Sequence, residues 1–342
     1  MAEPLKIALL GCGRLSEILA ERVFPRVREA VEVVAAIDVR RDRAERLAAS
    51  LNVPAFESLE EALGTVPVEA VDIRLPHHLH LIGVEEATQL RRHVLVEKPM
   101  AMTVADCHTM SKLAADAGVT LAVGESHGFV EGVHVAKELI ADGAIGPLLV
   151  LETARVFELG EPWRRDGWRT ARGNAAGILA ENSCHMSRML RSVATDIDEV
   201  FAYARTGHPD WLGEDTAVVS LRFKDGLIGQ QLYCWASPTS QASVPELSAY
   251  GSRGSIHVYI DYEGSSGGTV LRRPGVPDQW YATGTNYYDA LAAVLVDFSQ
   301  ACRSGTTPIA SASDGTYDVS VLEAIYASVR TGLPVKVERS VA

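Results

Sequence analysis

Lysine is scarce in this chain. There are six, Lys6, Lys98, Lys112, Lys137, Lys224 and Lys336, and they never cluster. Lys and Arg together number 32 against 44 Asp and Glu, a formal charge of -12. The basic face that nucleic acid and anionic membranes demand is therefore missing, and neither is expected as a partner. Cysteine is sparse too: Cys12, Cys107, Cys184, Cys234 and Cys302 are odd in number, far apart and never spaced as C-x-x-C. That spacing excludes a disulfide framework and a zinc knuckle and suits a reducing compartment. Long apolar runs are lacking as well. The first, over 5–10, has no basic segment before it and is far shorter than a signal-peptide core or a membrane span, so the expected location is the cytoplasm.

What is present is an ordinary globular balance, 47% apolar and 22% charged over 342 residues, enough for about two domains. From residue 5 short β-rich runs alternate with helical patterns: 5–10 then 15–29, 31–38 then 41–51, 70–75 then 79–90, 93–96 then 104–117, 119–123 then 130–141. Strands separated by helices of ten or more residues imply βαβ crossovers, and near-continuous apolar strands such as LKIALL imply helices on both faces. Residues 1–124 are expected to form a doubly wound parallel α/β (Rossmann) domain. After Gly146-Pro147 strand patterns dominate, punctuated by Asp-Gly and Gly-Ser turns, with helices at 177–192, 287–303 and 314–331. Residues 125–342 are expected to form an α+β domain on a mostly antiparallel open sheet.

Gly11-Cys12-Gly13-Arg14-Leu15-Ser16 follows the first strand and opens the first helix. The first glycine permits the tight turn, and the second lets the backbone approach a pyrophosphate seated on the helix N-terminal amides. The second strand ends at Asp38, where a carboxylate can accept hydrogen bonds from the adenosine ribose hydroxyls. Arg40 and Arg41 follow and could clasp a 2′-phosphate, which Asp38 would repel; NAD is favoured over NADP. A buried strand, 94–96, delivers Glu97-Lys98-Pro99 at its C-terminal end, where open α/β sheets bind ligands. A surface Glu–Lys pair before a turn proline is the alternative. In the helix at 177–192, Glu181 and His185 are four apart and share one face. Histidine suits general-base removal of an alcohol proton and a carboxylate one turn away can orient it; a half-buried surface pair is the blander reading. Asn182 lies on the next position round. Gly124-Glu125-Ser126-His127 ends the sixth strand, placing Glu125 and His127 either at the substrate or in a polar domain junction. The Pro76-His77-His78-Leu79-His80 cluster has no carboxylate or cysteine nearby in sequence to complete a tetrahedral set, so no metal is expected there.

Taken in order, GCGRLS, Asp38, LPHHLH, HVLVEKP and GILAENSCH resemble the glucose–fructose oxidoreductase / inositol dehydrogenase / MocA (Gfo/Idh/MocA) family over nearly the whole chain. The resemblance implies that Lys98 is catalytic and orients substrate, and that His185 is the base of an Asp-x-x-x-His motif in which Glu181 replaces the family's aspartate. It implies that Pro76, His77 and His80 lie on a loop covering the cofactor, and that the pair Trp168-Arg169 lies near the nicotinamide. Trp163 either meets substrate or anchors its loop. The cofactor set is then Gly11, Cys12, Gly13, Arg14, Leu15, Asp38, Arg40, Pro76, His77, His80, Glu97, Lys98, Trp168 and Arg169. The substrate set is Lys98, Glu125, His127, Trp163, Glu181, Asn182 and His185.

The expected activity is NAD(P)-dependent hydride transfer at a secondary alcohol or ketone of a sugar, amino sugar or cyclitol. Arginines common in relatives at 127–128 are missing here, and a neutral or amino-bearing substrate is expected over a sugar acid, with Arg164, Arg165, Arg169 and Arg172 as the counterweight. A redox-assisted glycosidase using Glu125 or Glu161, and a cofactor-binding regulator without turnover, are the rivals. By the same resemblance, a homodimer or homotetramer through the C-terminal sheet is expected.

Overall fold

The computed structural model describes residues 3–164, 167–169, 177–262, 267–283 and 286–338, with only the backbone of Pro162 and Arg164. The chain divides into two compact units, one of residues 1–125 with 291–316, the other of 126–290 with 317–341.

In the first unit the elements run β1 (Leu5–Leu10), α1 (Arg14–Arg22), β2 (Val31–Ile37), α2 (Arg41–Leu51), β3 (Ala55–Phe56), α3 (Leu59–Leu63), β4 (Ala70–Ile73), α4 (His80–Gln89), β5 (His93–Val96), α5 (Val104–Ala117) and β6 (Leu121–Val123). All six strands are parallel, in the order β3-β2-β1-β4-β5-β6. Strand order reverses between β1 and β4, the switch point at which doubly wound sheets open a crevice. Leu5, Ile7, Leu9, Ile37, Ile73 and Leu95 fill its core. The first helix stops earlier than its apolar pattern suggests, because Pro25 lacks an N–H and disfavours helical geometry in the residue before it; a 3-10 turn, Phe24–Arg26, follows instead.

The second unit contains α6 (Glu131–Ala141), β7 (Leu148–Val156), α7 (Glu161–Arg164), α8 (Ile178–Val193), β8 (Ile197–Arg205), β9 (Thr216–Phe223), β10 (Ile228–Cys234), β11 (Leu247–Gly251), β12 (Gly254–Tyr259), β13 (Gly268–Arg273) and β14 (Val276–Tyr281). The chain ends with α9 (Tyr287–Ser304), α10 (Ala312–Thr331) and β15 (Val335–Lys336). Nine strands form one sheet, β14-β13-β12-β11-β7-β10-β9-β8-β15. Every pairing is antiparallel except β7 with β10.

The sequence reading has a single crossing between domains, whereas residues 291–316, from α9 into α10, belong to the first unit. Long-range polar contacts hold them there. Ser299 donates to the Ala30 carbonyl at 2.7 Å, Arg303 pairs with Glu69 at 2.6 Å, and the Val123 N–H donates to the Ala310 carbonyl at 2.9 Å. Nothing in helical periodicity reveals which sheet a helix returns to.

Candidate active site

In the first unit the candidate residues form a row, one half of the candidate set. Leu10, Ile37, Ile73, Val96 and Val123 are successive register partners across β2, β1, β4, β5 and β6. The residues one step beyond them, Gly11, Asp38, Arg74, Glu97 and Gly124, therefore line up along the carboxyl edge of the sheet. Gly11 has φ +103°, and a Cβ there would lie 2.6 Å from the Arg74 carbonyl oxygen, so only glycine fits. A Cβ on Gly13 would meet nothing within 4 Å. Among the described residues no side-chain hydrogen bond caps α1, and its first amides suit a pyrophosphate. Ser16 donates to the Gly11 carbonyl at 2.6 Å, tying the third small position back to the first. Arg14 and Leu15, half-buried, open the helix, with Arg14 paired to Glu17 at 3.2 Å.

Asp38 is oriented by backbone. Its Oδ2 accepts the Cys12 N–H at 2.9 Å and its Oδ1 the Arg40 N–H at 2.8 Å, which leaves lone pairs on both oxygens for a ribose diol. Burial, with Asp38 nearby, pushes the Cys12 thiol up to about 12, so it stays protonated and unreactive at neutral pH. Arg40 and Arg41 turn to their own helix: Arg40 pairs with Asp42 at 3.2 Å and Arg41 with Glu45 at 2.9 Å. The residues of this half fit NAD.

The β4–α4 loop is more buried than a covering loop would be. Pro76 precedes a 3-10 turn of His77–Leu79; His77 is buried and His78 exposed. His80 is fully enclosed, with Nδ1 2.9 Å from the Pro99 carbonyl and Nε2 3.0 Å from the Leu75 carbonyl. Burial lowers its pKa to about 4. The ring is neutral at physiological pH, and both of its nitrogens face backbone carbonyls. Lys98, half-buried, follows the buried Glu97 at the end of β5, and Glu125 is buried two residues after β6.

The other half of the candidate set stands in the second unit, on α8. Residues 178–187 of this helix are all buried, and they include Glu181, Asn182, Ser183, His185 and Ser187. Burying so many polar groups is costly without partners, so the partners define the site. Gly177, at φ +112°, opens the helix because a Cβ there would overlap the Glu214 carboxylate. Glu214 reaches in from the loop before β9: its backbone carbonyl accepts the Ile178 N–H at 2.9 Å and its Oε1 accepts the Leu179 N–H at 3.2 Å and the Tyr326 hydroxyl at 2.9 Å. Burial raises its carboxyl above the ordinary range.

Glu181 pairs with Arg169 at 2.9 Å, and the Arg169 guanidinium lies 4.2 Å over the Trp168 ring and 5.1 Å from the centre of the Trp163 ring. The extra methylene that distinguishes Glu181 from an aspartate thus ends on a cation held between two indoles. Arg165, Arg172 and the segment with Ala175-Ala176 lie outside the described residues, as does the Arg164 side chain. His185, one turn on from Glu181, stacks against His127 with centroids 3.9 Å apart and 33° between planes.

Three residues that the sequence reading missed complete this half. Arg155 on β7 donates through Nη1 to both oxygens of Glu246 at 3.0 Å, through Nε to Asn182 Oδ1 at 3.0 Å, and also to the Tyr262 hydroxyl. His127 Nε2 lies 3.2 Å from the same hydroxyl and 3.6 Å from Glu246. Burial alone would raise the Glu246 carboxyl, but Arg155, His127 and Gln241 outweigh it and hold it down at about 2. Asn182, expected at the substrate, is engaged at both ends, its amide also donating to the Ile178 carbonyl at 3.3 Å. The phase of β7 carries the one sequence signal for Arg155: it shares the buried face with Leu151 and Thr153 at period two.

Comparison with known proteins agrees with both halves. Residues 5–125 match the oxidoreductase family model for the NAD-binding Rossmann fold, and residues 137–337 match the model for the family's C-terminal alpha/beta domain. The 1,5-anhydro-D-fructose reductase of Ensifer adhaerens is 28% identical over 90% of this chain and 91% of its own length. The myo-inositol 2-dehydrogenase of Thermotoga maritima is 27% identical, over 91% and 92%. Among solved structures, an inositol dehydrogenase homolog from Azotobacter vinelandii, complexed with NADH and myo-inositol, superposes with a TM-score of 0.81 at 18% identity, covering 98% of both chains. No helix among the described residues is long and apolar enough to cross a membrane. The chain is an NAD-dependent oxidoreductase and belongs to the Gfo/Idh/MocA family.

Proposed function

We propose that the chain interconverts a secondary alcohol and a ketone on an uncharged polyhydroxylated compound, a sugar, amino sugar or cyclitol, with His185 and Lys98 as its catalytic pair. The observation that carries this reading is the buried polar face of α8, on which a histidine and a carboxylate stand one turn apart in a chain that also holds the full NAD row. NAD, which the Gly11–Gly13 turn and Asp38 would hold, would supply the acceptor for the hydride of the carbinol carbon. His185 removes the hydroxyl proton, and the Lys98 ammonium donates a hydrogen bond to the same oxygen and orients it. Glu181, with Arg169, holds a neighbouring hydroxyl.

The preference for a neutral substrate rests on pairing. Arg155 is matched by Glu246 and Arg169 by Glu181, so a substrate carboxylate would have to displace a buried protein carboxylate to be neutralised. The relatives named above are a reductase of 1,5-anhydro-D-fructose and a dehydrogenase of myo-inositol, in line with this. A matched panel of a hexose, an inositol, an amino sugar and a uronic acid, scored for NAD reduction, tests it; a kinetic preference for the acid would refute it.

The open face of the second sheet is proposed to make a homodimer or homotetramer. Tyr203, Val218 and Leu232 are register partners across β8, β9 and β10, and each is exposed. Val218→Glu should lower the mass measured by light scattering, and an unchanged mass would contradict this interface. The buried thiols Cys12, Cys107 and Cys184 support a cytoplasmic location.

A further inference from the structure

Three charged side chains beneath the strand-end row of the first unit have no part in the acid–base reading. Asp72 lies on β4, and Arg74 and Glu97 stand one residue beyond β4 and β5. Their side chains are 0%, 2% and 9% exposed. Arg74 Nε lies 2.6 Å from Asp72 Oδ1, Nη2 3.2 Å from Oδ2, and Nη1 2.5 Å from Glu97 Oε1. Enclosing three charges in a parallel sheet is costly before pairing, and apolar packing of the same volume is often at least as stable. Stability alone does not account for them.

Their geometry does. The second oxygen of Glu97, Oε2, accepts the backbone N–H of Lys98 at 2.9 Å. A Cβ on Gly124 would sit 3.0 Å from Glu97 Oε1 and 3.3 Å from Arg74 Nη1, so the next strand end closes over the pair. On the other side of Lys98, His80 contacts the Pro99 carbonyl and ties it to Leu75. Lys98 is thus bracketed by side chains that belong to, or are held by, the segment following β4.

We infer that Asp72, Arg74 and Glu97 are positioning residues for Lys98: Arg74, held by Asp72, fixes Glu97 so that its second oxygen takes the Lys98 N–H and sets the direction in which the lysine leaves the strand end. The inference rests on the role given to Lys98 above. Arg74 is the joint, because its planar fork serves two carboxylates at once, which an ammonium cannot do.

The test is a double-mutant cycle on the full-length enzyme, with kcat and KM expressed per NADH-binding site so that a partly unfolded variant still gives an answer. Arg74→Lys and Glu97→Gln should each lower kcat by about 10- to 100-fold, with NADH affinity changed no more than about threefold. Added to Lys98→Ala, Glu97→Gln should have no further effect, since a positioning residue acts through the group it positions. Unchanged kcat in both variants beside an inactive Lys98→Ala, or a Glu97→Gln loss that persists in full on top of Lys98→Ala, overturns the positioning role alone. A Lys98→Ala enzyme with normal kcat overturns the role of Lys98 and the inference with it. If Arg74→Lys does not fold, the Glu97→Gln arm decides.

Discussion

The two units place their functional groups by different physics. In the first, main chain sets the row: five strands end in register, the residues one step beyond them line the carboxyl edge of the sheet, and side chains enter only locally, where Asp72, Arg74 and Glu97 pair beneath Lys98. In the second, side chains place side chains. His127 meets Tyr262 across 135 residues and Arg155 meets Glu246 across 91, and α8 is fixed by a carboxylate from another loop.

The largest expected effect breaks both halves at their chemistry. His185→Ala and Lys98→Ala should each lower turnover by ~10²-fold or more with NADH binding nearly intact, because general acid–base groups contribute about that much. Steady-state kinetics beside a fluorescence titration of NADH checks this, and near-normal turnover at saturating substrate would remove the residue from the mechanism.

Next in size is Glu246→Gln, which tests the side-chain half alone. It leaves Arg155 buried beside a neutral amide, and breaking a buried pair in this way costs about 3–5 kcal/mol. The pH dependence has a definite sign. The folded Glu246 carboxyl titrates at about 2 against an ordinary 4.5, so its contribution is fully present above about pH 4.5 and is lost as pH falls toward 2. Wild-type stability should decline across that window more steeply than that of the variant, as read by urea unfolding at a series of pH values. Parallel declines would remove Glu246 as the source.

A smaller effect sharpens the main-chain half. Asp38→Ser should narrow the preference for NAD over NADP, since Arg40 and Arg41 need only leave exposed, solvent-screened partners to meet a 2′-phosphate. The ratio of kcat/KM for the two cofactors measures it, and an unchanged ratio would take Asp38 out of the choice. The smallest effect is that of Glu214→Gln. Weakening the acceptor at the start of α8 should cost on the order of 1 kcal/mol and lower Tm by a few degrees. A loss of activity with no change in Tm would show that Glu214 acts in the reaction instead.

How much was legible follows from the same contrast. Gly11, Asp38 and Glu97-Lys98 could be read from sequence because strand ends, a glycine turn and the switch-point rule are local or topological facts. The Glu181–His185 face was readable because helical spacing is local as well. Arg155, Glu246 and Tyr262 were not, because their meaning comes only from partners distant in sequence. The protein partners of His80 and Asn182 were not readable for the same reason, since those partners come from elsewhere in the chain. Arg169 was legible as a neighbour of Trp168 but not as the partner of Glu181. The return of 291–316 to the first unit left no local trace.

Net transfer of hydrogen from a carbinol carbon to NAD separates the proposed dehydrogenase from its rivals. The most direct measurement uses a polyol deuterated at the carbon oxidised in the panel screen and follows both products by mass. The account predicts one deuterated NADH for each ketone formed, with no other bond broken. Turnover that cleaves the substrate while returning deuterium to it, with no net NADH, would contradict the account and favour a redox-assisted lyase or glycosidase.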